Sequence, residues 1–177
     1  MKGEIKSHEL GLWPPLWPLP QTIVSVRDKE GRNNALAVGY AGNVSHHPAM
    51  VMVGIEPGRF SHHMVKENGC FVVNFPLKSF RKEFGYLGSK SGRDGDKFAA
   101  LDLKWEDGKY VNAPVLTDCP VNIECSVVES IIPGSNELFI GNVETVHVNE
   151  EYLGKNGRIL WNKMDLIKLS VDNLSVD

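Results

Sequence analysis

Residues 121–149, VNIECSVVESIIPGSNELFIGNVETVHVN, decide the fold. Two runs, VNIECSVVESIIPG and ELFIGNVETVHVN, are rich in Val and Ile and alternate apolar with polar residues, the period of a strand with one face inward. The PGSN between them has the chemistry of a tight turn, so the stretch predicts an antiparallel pair joined by a hairpin. Moving toward the N-terminus, CFVVNF (70–75) and AMVMVGI (49–55) read as strands, the latter apolar throughout. Thr22–Val26 is a further strand, RDKEGR (27–32) a hairpin turn, and Ala35–Ala41 the returning strand. A helix is expected over Arg59–Asn68, closed by Gly69. The spacing of Leu77, Phe80, Phe84 and Leu87 predicts a second helix over 77–90, broken at Gly88. KFAALDLKWEDG (97–108) reads as a helical turn and an irregular strand, and 150–170 as helical or irregular followed by a peripheral strand.

Six or seven strands linked directly to one another, with two or three short helices inserted, lack the βαβ rhythm of a parallel sheet. They favour an antiparallel barrel or sandwich, all-β to α+β in class. The 177 residues fit one domain spanning 1–177. Residues 11–20, GLWPPLWPLP, hold four prolines, two tryptophans and three leucines. Such a segment forms neither a long helix nor a central strand, and is expected to lie as an apolar arm against the fold or a partner.

A net charge of −3 gives no electrostatic footprint for nucleic acid, and the apolar runs are too short to span a bilayer. The charged start, MKGEIKSHEL, has no secretory-signal pattern, so a cytoplasmic location is expected. Cys70, Cys119 and Cys125 match no redox or zinc spacing and read as idle buried thiols. The histidines include two adjacent pairs, His46–His47 and His62–His63; neighbours on a strand face opposite ways and seldom share a metal, and with His8 and His147 they outline no metal set. No nucleophile motif is present, and no catalytic residue or metal ligand is assigned.

Two stretches ask for an explanation. NNALAVGYAGNVS (33–45) sets Ala35, Ala37, Gly39, Ala41 and Gly42 in a strand, where small residues pack poorly. Either a flat ligand or a neighbouring backbone lies close, with Tyr40 to stack and Asn34, Asn43 and Ser45 to bond, or the strand turns a barrel corner. GSKSGRDGDKF (88–98) combines glycines with Ser91, Arg93 and Lys97, a composition suited to an oxyanion. Asp94 and Asp96 would repel that anion, so they brace the cations or cap the next helix at Phe98. The string is neither GxxxxGK[ST] nor GxGxxG.

The segments LPQTIVSV, EGRNNALAVGYAG, SHHPAMVMVGI, RFSHHMVKENGCFVVNFP, YLGSKSGRDGDKF, DCPVNIECSVVE and ELFIGNVETVHV together resemble the flavin reductase-like, FMN-binding split-barrel family, in particular its flavoredoxin-type members. The most specific piece is YLGSKSGRDGDKF. The resemblance implies a homodimer of split barrels with FMN near the subunit boundary. Asn34, Ala35, Ala37, Tyr40, Ala41, Gly42, Asn43 and Ser45 would then admit the isoalloxazine, Tyr40 replacing the family's usual tryptophan. Ser91, Arg93 and Lys97 would hold the phosphate. Ala49 departs from the family's second proline in Ser–x–x–Pro–Pro. The expected function is an FMN-dependent oxidoreductase or electron carrier, fed by a reduced nicotinamide or redox protein and passing electrons to flavin, ferric iron or a redox partner. The alternatives are a non-redox barrel for another phosphorylated ligand and an oligonucleotide-binding barrel, the second opposed by the net charge.

Overall fold

A computed structural model of the protein describes residues 21–167; the arm at 11–20 and the end of the expected peripheral strand lie outside them. The order is β1 (Thr22–Arg27), β2 (Asn33–Val38), β3 (Ala41–His46), β4 (Ala49–Ile55), α1 (Phe60–Asn68), β5 (Cys70–Phe75), α2 (Arg81–Ser89), α3 (Lys97–Leu101), β6 (Trp105–Asp107), β7 (Pro114–Leu116), β8 (Val121–Ile131) and β9 (Glu137–Val148). Seven strands form one antiparallel sheet in the order β2-β1-β5-β8-β9-β4-β3, and β6 pairs with β7. The fold is mixed α+β, a large antiparallel sheet of split-barrel-like topology with short helices.

The 121–149 stretch is the expected hairpin. Its pairing runs from Val121↔Val148 to Ile131↔Leu138, with bulges after Glu124 and Val127. Helix α1 ends as expected, since Gly69 takes φ 67° and its N–H bonds the Val65 carbonyl at 2.8 Å. Strand β1 is buried on both faces because the sheet has a core on each side. Val24 and Val26 join Val53, Met64, Phe71 and Phe139 on one face. Ile23 joins Ala35, Leu87, Phe98 and Leu116 on the other, beneath α2 and α3.

Three expectations change. The strand expected over 35–41 is two strands, because the chain turns at Gly39–Tyr40 and carries Ala41–His46 to the opposite end of the sheet order. This is the barrel corner that the small residues allowed. Gly88 does not break its helix, which runs on to Ser89. A Cβ on Gly88 would stand 3.2 Å from that of Ala37, so this glycine serves the close packing of α2 on β2. Strand β7 was not foreseen. It is pinned from within, since the buried Asn74 side chain accepts the Leu116 N–H at 3.0 Å and Ser25 donates to the Pro114 carbonyl.

The three cysteines are free and buried. Burial pushes all three thiols upward, Cys125 to about 12, and a protonated buried thiol is a poor nucleophile.

Candidate functional site

Beside the Gly39–Tyr40 corner lies a cleft of about 480 Å³. Its walls come from β2 and the corner, from the end of β4 through the first turn of α1, and from the last turn of α2 with the following loop. Ser135 and Asn136, at the tip of the β8–β9 hairpin, complete it. One wall is nearly bare, with Ala37, Gly39, Gly54 and Gly88 around the aromatic Tyr40, itself 43% exposed. Gly54 is closely packed: a Cβ there would stand 3.0 Å from that of Tyr40.

The charged lining is mostly cationic, with Arg59, Lys90, Arg93 and Lys97 against one carboxylate, Glu56. Glu56 is engaged by Arg59 at 3.2 Å. Arg93 donates to the Gly58 carbonyl at 3.1 Å and its guanidinium carbon lies 5.6 Å from the Phe60 ring centroid. Arg32 approaches the same ring at 4.6 Å, so Phe60 carries two guanidinium groups. Gly92 fits beneath, where a Cβ would meet Phe60 at 2.3 Å and the Asn34 Oδ1 at 2.8 Å. Gly95 has φ 152°, which a side chain tolerates poorly. Asp96 caps α3, accepting the N–H groups of Phe98 (2.8 Å) and Ala99 (3.1 Å), and so takes the capping role expected for one of the two aspartates.

Of the residues singled out from the sequence, Asn34, Ala37, Tyr40, Ser91, Arg93 and Lys97 line this one cleft. Ala35 is fully buried behind it, beneath Leu87 and Phe98. Ala41 and Gly42 sit half-buried on β3, where Ala41 packs on the core and Gly42 faces the Met52 methyl. Asn43 and Ser45 line a separate groove of about 520 Å³ formed with β4, β8 and β9. The turn at Gly39–Tyr40 causes that separation.

Within the cleft, Asn34 donates to Ser61 at 2.7 Å and is buried. Lys97 is buried too, 4% exposed, and donates to the Ala35 carbonyl at 2.8 Å and the Leu87 carbonyl at 3.0 Å. Burial, then the nearby Arg59, lower its pKa to about 8, partly offset by Asp94.

The sequence reasoning passed over Arg59, Phe60 and Ser61. Their signal is EPGRFS, a Pro-Gly turn delivering an arginine and a serine to the start of a helix. Helix α1 has no side-chain cap at its N-terminus, so its first N–H groups lack that satisfaction. The histidine pairs divide: His62 bonds Glu137, His63 packs edge-on against Phe60, and His46 and His47 are exposed on β3 and its turn. Among the described residues, no group of three His, Cys, Asp or Glu is placed to hold a metal.

The family model for the flavin reductase-like domain matches residues 16–164. The chain belongs to that family. Among solved structures it is similar to the flavoredoxin of Desulfovibrio vulgaris (Miyazaki F), with a TM-score of 0.86 and 27% identity, covering 95% of this chain and 90% of that one. A flavoredoxin from Methanosarcina acetivorans gives a TM-score of 0.84 and 30% identity, covering 97% and 88%. An FMN-binding protein from Thermus thermophilus gives 0.75 and 26%, covering 90% and 86%. Family and fold are those of flavin reductase- and flavoredoxin-like oxidoreductases.

Proposed function

We propose that the cleft holds FMN and that the protein is an electron-transferring flavoprotein of the flavoredoxin type. One observation carries this: positions with at most a methyl side chain, Ala37, Gly39, Gly54 and Gly88, share a single cleft with a cationic loop anchored on Phe60. These positions suit a flat ring system, Tyr40 supplies an aromatic edge, and Ser91, Arg93, Arg59 and the start of α1 suit a phosphate. The cleft volume lies within the ordinary range for cofactor sites. When bound, FMN supplies the redox chemistry, and the protein contributes binding, orientation and access. Donor and acceptor are a reduced nicotinamide or redox protein on one side, and free flavin, ferric iron or a redox protein on the other.

Two copies are proposed to meet across β3. Among the described residues that strand has a neighbour on one side only, its Val44 is 47% exposed, and the adjoining groove is walled by Met50, Val51, Ile123, Val143 and Val146. Light scattering that gave a monomer mass at micromolar concentrations would remove this part.

The flavin reading is tested by the visible spectrum of the purified protein after incubation with FMN and removal of free flavin. Retained flavin bands that bleach when a reduced nicotinamide or a reduced ferredoxin is added support it. Absence of retained flavin, together with no quenching of FMN fluorescence on titration, removes it.

A further inference from the structure

Among the described lysines and arginines, Lys97 is the one that is buried. Its ammonium spends two N–H groups on carbonyls from different elements, Ala35 on β2 and Leu87 on α2. Both elements have acceptors to spare. Among the described residues strand β2 has only β1 beside it, and a strand edge presents carbonyls outside that ladder. Leu87 stands in the last turn of α2, where the final carbonyls have no partner within the helix and a cation is favoured.

The tie has a consequence for the loop between α2 and α3. Lys97 follows the loop, Leu87 precedes it, and the bond between them closes its base. Inside that closure Gly92 is seated on Phe60 and Asn34, and Arg93 reaches the Gly58 carbonyl. We propose that Lys97 is a positioning residue, tying β2 to the end of α2 and so fixing the Ser91–Arg93 loop, rather than a ligand of the phosphate. Two charged groups act on it, Arg59 from the turn before α1 and Asp94 from the loop. Neither replaces the two carbonyl bonds.

The flavin part of the test rests on the FMN reading; the exchange part does not. Lys97→Met keeps an unbranched apolar stem of nearly the same reach and removes its donors. Hydrogen exchange of the flavin-free protein is expected to quicken in residues 88–96, with β5 and β8 keeping their wild-type rates. FMN and riboflavin are then titrated by fluorescence into Lys97→Met, Arg93→Ala and the double variant. Coupled residues act non-additively, so Lys97→Met is expected to weaken FMN by about tenfold alone and by under about threefold when Arg93 is already gone. Riboflavin, without the phosphate, is expected to lose little.

An equal loss of FMN affinity in both backgrounds, with the flavin-free loop exchanging as in wild type, makes Lys97 a direct phosphate ligand and overturns the proposal. Faster exchange throughout the sheet overturns it in favour of a general stabilising role. A wild-type chain that binds neither flavin defeats the FMN reading and leaves the exchange experiment to decide the tie.

Discussion

Two buried charges divide the cleft side of this molecule. Glu137, 2% exposed at the start of β9, receives His62 at 2.7 Å, Lys66 at 2.9 Å and Ser130 at 2.6 Å. Burial alone would raise its pKa, but these donors bring it down to about 2. Lys97 meets only carbonyl dipoles at bonding distance, and its pKa also falls, to about 8. The shared direction hides opposite causes. Glu137 is lowered because its partners favour the charge, whereas Lys97 is lowered because burial disfavours it. A compensated buried ion fastens the fold, whereas Lys97 is held by carbonyl dipoles alone, so an anion bound elsewhere in the cleft would stabilise its charge further. Glu124 repeats the first pattern away from the cleft. Burial would raise its pKa, but His147 and the N–H groups of Tyr110, Lys109 and Val111 hold it below the usual carboxylate range.

The largest effect is expected on the compensated side. Glu137→Ala leaves His62, Ser130 and one end of Lys66 without an acceptor, and removing one partner of a buried pair costs about 3 kcal/mol. The denaturant midpoint of the variant measures this. The acid limb has a definite sign. The folded pKa lies below the unfolded value, so the contribution is present above about pH 4.5 and is lost as pH falls toward about 2. A midpoint shift worth less than about 0.5 kcal/mol once multiplied by the denaturant slope, the ordinary range for a surface change, would erase the distinction between the two charges.

Next come the residues that present the cationic wall. Arg93→Ala removes a charge-assisted donor, worth about 1.5–3 kcal/mol, so FMN affinity is expected to fall about ten- to a hundredfold. Riboflavin serves as the control, and equal losses for both flavins would place the phosphate elsewhere. Gly92→Ala drives a Cβ into Phe60 and Asn34, both rigidly placed, and overpacking of that kind costs about 1–3 kcal/mol. Because the loop yields before the sheet does, FMN affinity is expected to drop more than the melting temperature of the flavin-free protein. The reverse ranking would make Gly92 a matter of core packing alone.

These experiments follow from geometry that local sequence pattern conveys unevenly. The 121–149 hairpin and α1 with its Gly69 end were legible because alternation, turn chemistry and a left-handed cap are local signals. The corner at Gly39–Tyr40 was legible only as one of several readings of its small residues, since a chain that passes from one end of a sheet to the other keeps its strand propensity through the turn. Gly88 resembled a helix breaker, yet its role depends on Ala37, fifty-one positions away in sequence and in contact only in the fold. Lys97 looked like a phosphate cation because glycines and charges surround it. The carbonyls of Ala35 and Leu87 that occupy it are backbone groups, which no residue pattern announces. Asn34, Tyr40, Ser91 and Arg93 line one cleft, while the corner carries Asn43 and Ser45 to another groove.

The smallest effect is a fraction of a proton, and it bears directly on the contrast between the two ions. Between about pH 8 and about 10.5 the unfolded chain holds a proton on Lys97 that the folded chain has released. Stability from this group therefore rises with pH through that window, because the cost of a buried ammonium is present below it and relieved above it. An anion placed in the cleft acts the other way. Without touching Lys97, it favours the ammonium and draws the pKa back up. Binding of FMN at pH 9 is accordingly expected to take up about half a proton, and its affinity to decline as pH rises beyond about 8. Calorimetric titrations in two buffers of different ionisation enthalpy measure the uptake as a difference in apparent binding heat. At pH 7, where Lys97 is already protonated, the difference should vanish, as it should for riboflavin at either pH. Lys97→Met should abolish it while leaving Arg93 to bind. Identical heats in both buffers at pH 9 for the wild-type protein would show that the phosphate does not sense Lys97, and the two buried charges would then differ in stability alone and not in function.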